Sequence, residues 1–200
     1  MRWPLVEAGN SSSYNKVVDA NDPAAPHRPG IYYFNESGNL VELLPNVTAQ
    51  SKSRGNLGTR MSYGIAKTKQ VSRLSKPTAR TQFDRVPEFY FYFNQQEAAF
   101  EQNLYNFYGF VSATSPNEFT LAKLTPKEDA RELETGAANY YTSEHGISSK
   151  HAVDFSFDPI APGIYKVTPI NLPSGEYCFV YTGAAPSAYS QQKVFDFGVR

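Results

Sequence analysis

The 200-residue chain has one cysteine, Cys178, one tryptophan and three histidines. A single cysteine excludes an intrachain disulfide, so nothing here argues for an oxidising compartment. No run of about 18 apolar residues occurs, so no helical membrane span is expected. The opening residues, MRWPLVEAGNSSSYNKVV, lack an apolar stretch of about 7–15 residues before a small-residue cleavage site, and no signal peptide is visible. Phosphate-cradling GxxxxGK[ST] and GxGxxG loops are missing, as is the GxSxG nucleophile elbow. No cofactor is implied by any motif.

Net charge is also zero, but it is unevenly spread. Between Ser51 and Arg85 stand Lys52, Arg54, Arg60, Lys67, Lys69, Arg73, Lys76, Arg80 and Arg85, against Asp84 alone. That stretch carries +8 and the remainder −8. Such asymmetry means either an anionic partner or two parts of one fold that attract each other.

What the chain does have is aromatic residues, 14 Tyr and 14 Phe. Residues 87–94 read PEFYFYFN, and any strand there carries large rings on both faces. Such a strand must be covered on both sides, which predicts a central position. Tyr90 and Tyr92 share one face, with hydroxyls near solvent or a backbone carbonyl, while Phe89, Phe91 and Phe93 line the other. The segment AAFEQNLYNFYGF that follows is the expected cover.

The rest of the chain reads as strands and turns. GIYYF at 30–34 and LVELLP, joined by NESGN, predict a hairpin with a loop of about five residues. Residues 61–86 alternate loosely and fit half-exposed strands with basic outer faces. NQQEAAFEQNLYNFYG holds the one candidate helix, at 95–106, with Asn94 as cap. Segments 118–124, 130–136, 151–158, 163–170, 175–183 and 193–199 are rich in β-formers between turn residues, and TPKEDAREL reads as a hairpin tip. PGIYYF, PGIYKV and SGEYCF repeat one device, a glycine turn that launches a Tyr-bearing strand. Residues 1–27 are poor in apolar periodicity and read as a flexible N-terminal arm.

Taken in order, RPGIYYF…GNLVELLP, VPEFYFYF, SPNEFTLAKL, APGIYKVTPINLPSGEYCFVYTG and VFDFGV resemble the blocks of a group of uncharacterised bacterial β-rich proteins. The likeness covers about residues 28–200. It implies one domain and a β architecture, and no reaction. Many members of that group look exported, which the missing leader here does not match.

Three constellations have rival readings. Glu144, His145, His151 and Asp154 supply imidazole and carboxylate groups for a divalent ion, and with it a metal-dependent enzyme, but their spacing matches no compact ligand motif. A solvated loop leading into a strand is the preferred reading, and no metal site is assigned. Cys178 alternates with Tyr177 and Phe179 as a small core residue does. The basic stretch contains SRGNLGTR, a GxxG turn between arginines. With Tyr63 and Phe83 it sketches a groove for nucleic acid or another polyanion, a reading that overall neutrality disfavours. The triplets at Asn10, Asn35 and Asn46 are no more than chance provides.

The sequence therefore predicts an all-β fold of about eight to ten strands. Its form is a two-sheet β-sandwich or barrel-like domain over 28–200, decorated at most by one short helix, with an arm at 1–27. Function is read as non-catalytic, a binding or assembly module with a protein partner or a second copy of itself. The candidate binding residues are Tyr90, Tyr92, Arg54, Arg60, Lys67, Lys69, Arg73 and Arg80; no catalytic residue is assigned.

Overall fold

A computed structural model describes residues 19–51, 68–93, 113–138, 143–145, 147, 150–182 and 193–200. Fifteen strands are found among them. In chain order they are β1 (Gly30–Phe34), β2 (Leu40–Glu42), β3 (Asn46–Val47), β4 (Ala49–Ser51), β5 (Thr68–Ser75), β6 (Gln82–Phe83), β7 (Phe89–Tyr92) and β8 (Phe119–Pro126). Then follow β9 (Ala130–Ala138), β10 (Ser143–His145), β11 (Ala152–Val153), β12 (Phe155–Ala161), β13 (Ile164–Pro169), β14 (Gly175–Tyr181) and β15 (Lys193–Val199). A 3₁₀ turn at Pro116–Glu118 precedes β8. The candidate helix at 95–106 lies outside the described residues.

Two sheets form. The smaller has the order β12-β13-β7-β1-β2, so the aromatic strand β7 is central, as its two apolar faces require. All four of its residues are buried. The larger sheet runs β3-β15-β14-β8-β9-β5-β4 and is nearly closed into a barrel. Its two margins, β3 and β4, are separated in the chain only by Thr48, which is 1% exposed. The run from Asn46 to Ser51 thus pairs with β15 through its start and with β5 through its end, drawing the margins together.

A side-chain distance supports the curl. Arg131 of β9 reaches Asp196 of β15 at 2.6 Å, although β8 and β14 stand between those strands in sheet order. Laid flat, three strand spacings would put them roughly 14 Å apart, beyond the reach of an arginine.

Period-two alternation assigns each strand of the larger sheet two jobs. Phe119, Leu121, Tyr177, Phe179, Phe195 and Phe197 face the smaller sheet and meet Ile31, Phe89, Phe91 and Val167 in the main core. Ala122, Leu124, Cys178, Val180 and Val194 face the other way, into the barrel, where they meet Leu74 and Leu133. Phe91 shows how tightly the first core is built. It is fully buried and lies edge-to-face against Phe119 at 5.4 Å and Phe179 at 5.1 Å, the arrangement ring quadrupoles favour.

The outer face of the smaller sheet carries Tyr32, Tyr90, Tyr92 and Ile164. Residues 23–28 lie across it. Tyr92 donates its hydroxyl to the Pro23 carbonyl at 2.8 Å, Tyr32 donates to the Arg28 carbonyl at 3.2 Å, and the His27 ring packs on both tyrosines. Residues 19–27, read from sequence as part of a flexible arm, are therefore docked where described. The cause is a wet-ended aromatic face that accepts a polar chain whose carbonyls satisfy the hydroxyls. The expected cover, AAFEQNLYNFYGF, falls outside the described residues.

Candidate functional site

A groove of about 1020 Å³ opens between the β1–β2 turn and the chain from Arg80 to Pro87. The turn is fixed locally. Asn35 Oδ1 accepts the amides of Ser37 and Asn39, and Gly38 takes φ +76°, which glycine adopts without steric cost. Phe83 and Tyr33 supply the aromatic floor, ring centres 4.9 Å apart and perpendicular. Phe83 also touches Phe89 and Phe197, so the floor is rooted in the main core. Above it stand Glu36, Arg80, Asp84 and Arg85, all exposed. Neither Arg80 nor Arg85 makes a salt bridge among the described residues, whereas Arg28, Arg73 and Arg131 do.

The 80–87 wall is mostly loop, contrary to the expectation of strands over 78–86. Only Gln82–Phe83 pairs, parallel to Gly198–Val199, flanked by bonds from Gly198 N to Thr81 O and Arg200 N to Phe83 O, both 2.9 Å. Gln82 turns its amide across Gly198, where an added Cβ would collide with Nε2. Any other residue at 198 displaces that side chain.

Under this wall lies a buried ion cluster. Arg131, 1% exposed, donates from Nη1 to Asp196 at 2.6 Å and to Glu176 at 3.2 Å. Both carboxylates are almost wholly buried, each residue being 7% exposed, and are held by the guanidinium, so the cluster is structural in character. Cys178, on the same inward face, is fully buried. Burial, and then the negative charge of Asp196, push its thiol well above its ordinary pKa, which leaves it unreactive as a nucleophile.

Among the described residues, those predicted to bind do not converge. Tyr90 and Tyr92 are 7% and 1% exposed, and the Tyr92 hydroxyl is engaged by Pro23, so neither offers a stacking platform. Burial pushes the Tyr92 phenol far above its ordinary pKa. Arg54, Arg60 and Lys67 lie outside the described residues, and Lys69 is described only as backbone in β5. Arg73 sits 2.8 Å from Asp129 and 4.0 Å from Glu132, which dilutes any anion-binding field. Of the described members of the set, Arg80 alone lines the groove. In the 144–154 loop, His151 faces Glu134 at 3.6 Å, and the side chains of Glu144 and His145 lie outside the described residues. Among the described residues no three His, Cys, Asp or Glu side chains gather as for a metal.

Sequence reading missed Arg131, Glu176 and Asp196 as a group. A signal was present: Glu176 alternates with Cys178 and Val180, Asp196 with Val194, and Arg131 with Leu133, each a charge on the inward parity of a strand.

No protein-family model, curated protein or solved structure matches the chain.

Proposed function

We propose that the protein is a non-catalytic binding module that receives an extended segment of a protein partner in the groove between the β1–β2 turn and residues 80–87. One observation carries this reading: two arginines without salt-bridge partners among the described residues, Arg80 and Arg85, are held over a rooted aromatic floor by a loop tied into the sheet. Binding residues set on anchored loops are the usual use of such a scaffold. Guanidinium groups are suited to carboxylates, and the Tyr33–Phe83 floor to an apolar or aromatic side chain.

Glu36 and Asp84 line the same groove, and they favour a protein segment over nucleic acid. A phosphate chain would be repelled by them, whereas a peptide carries charges of both signs. The volume is at the upper end for a small-molecule site, yet the lining is more polar and more open than such sites are.

A photo-crosslinking residue placed at Ser37, beside the groove, is expected to form a discrete adduct with a partner protein. The same residue at Asp158, on the exposed face of β12, is expected to form none. Adducts from Asp158 alone, or equally from both positions, would contradict the reading.

A further inference from the structure

The ion cluster inside the barrel has contacts that barrel filling does not require. Arg131 Nε donates to the Lys76 carbonyl at 3.1 Å and Nη2 to the Ser75 carbonyl at 3.3 Å. Glu176 Oε2 accepts the Ala79 amide at 2.6 Å, and Oε1 accepts Gln82 Nε2 at 3.0 Å. Gln82 Nε2 closes the circuit on the Ala79 carbonyl at 3.1 Å. Every one of these bonds lands on the chain between Ser75 and Gln82, which leads into the groove wall.

We infer that Arg131 and Glu176 are positioning residues for the groove, with Asp196 orienting the guanidinium and Gln82 carrying the constraint to the wall. Buried ion pairs are weak contributors to stability, because desolvation offsets most of the attraction, and apolar side chains of similar volume serve as well or better. The neighbouring inward positions Leu124, Leu133 and Val180 show that this barrel can be filled that way. What an apolar replacement cannot do is hold the Ala79 amide and the Ser75 and Lys76 carbonyls in fixed places. The loop needs such help, since Lys76 takes φ +72° and β6 is only two residues long. Gly198 belongs to the same device, because only a residue without Cβ lets Gln82 lie where it does.

The functional meaning of this clamp rests on the groove being the binding surface, but its test needs no partner. Amide hydrogen exchange is measured on the full chain carrying Gln82→Ala, and separately Gly198→Ala, which displaces the Gln82 side chain. Losing the Gln82 bonds to Glu176 Oε1 and to the Ala79 carbonyl leaves the Ala79 amide held by Glu176 Oε2 alone, and is expected to speed exchange at Ala79 by about 10- to 100-fold while Phe179 and Phe197 exchange at their wild-type rates. Exchange at Ala79 unchanged in Gln82→Ala would overturn the clamp. A uniform rise at Ala79 and the core strands would overturn it equally, by showing a role in general stability. If instead Ala79 responds as expected but the Ser37 adduct is absent, the clamp stands and the proposed groove function fails.

Discussion

At the residue scale two tyrosines of the smaller sheet, Tyr32 and Tyr92, give their hydroxyls to backbone carbonyls. Tyr92→Phe removes the bond to the Pro23 carbonyl and is expected to cost about 1 kcal/mol in urea unfolding, with Tyr32 and its Arg28 contact intact. Glu118 offers a pH test. Burial raises its pKa, but bonds from the Thr114 amide and hydroxyl, the Tyr181 hydroxyl and the Ser115 amide outweigh that and leave it below its ordinary value. A carboxyl with a depressed folded pKa stabilises above its unfolded value, about 4.3, and loses that contribution as pH falls through the folded value. Melting temperatures of wild type and Glu118→Gln should therefore differ at neutral pH and converge in acid; a constant difference across that range would contradict this. The parity of 89–93 was legible because strand alternation is rigid. Glu176 and Asp196 were not singled out, because a charge at an inward position looks like a solvated one until its partner, Arg131, is brought over it by the curl of the sheet.

At the element scale β7 is the strand on which both faces of the smaller sheet depend. Phe91→Ala leaves a void among Phe93, Phe119 and Phe179, and is expected to cost about 3–5 kcal/mol by denaturant unfolding. A loss below about 1 kcal/mol would mean that the core repacks more freely than its edge-to-face ring contacts imply. Elements with a local signal were readable from sequence: the β1–β2 hairpin with its five-residue turn, the β8–β9 tip, and the strands opened by Gly30, Gly163 and Gly175. Those fixed by remote partners were not. Asn46–Ser51 is polar and has little strand propensity, and it pairs because it closes the barrel. Residues 78–86 alternate like a strand, yet β15 accepts only two of them before the chain turns away to reach β7.

At the scale of the whole molecule, the charge asymmetry is partly explained by attraction within the fold. Arg73, from the basic stretch, faces Asp129 and Glu132 across β5 and β9. These pairs are at least partly exposed and each is worth no more than about 1 kcal/mol, so raising salt should lower the melting temperature only slightly. The all-β, two-sheet architecture was legible in the spacing of aromatic and turn residues. The near-closure of the larger sheet was not, since it depends on which margins meet. The groove was readable only in part: Arg80 and Phe83 stood out, but nothing local places them opposite the turn at 35–38.

Random peptides displayed on phage, selected on the wild-type protein and then measured on variants, test the groove most directly. The account predicts that selected peptides bind an Arg80→Glu/Arg85→Glu protein at least about tenfold more weakly, and a Lys150→Glu control as well as wild type. Peptides that bind the double variant and wild type alike would contradict it.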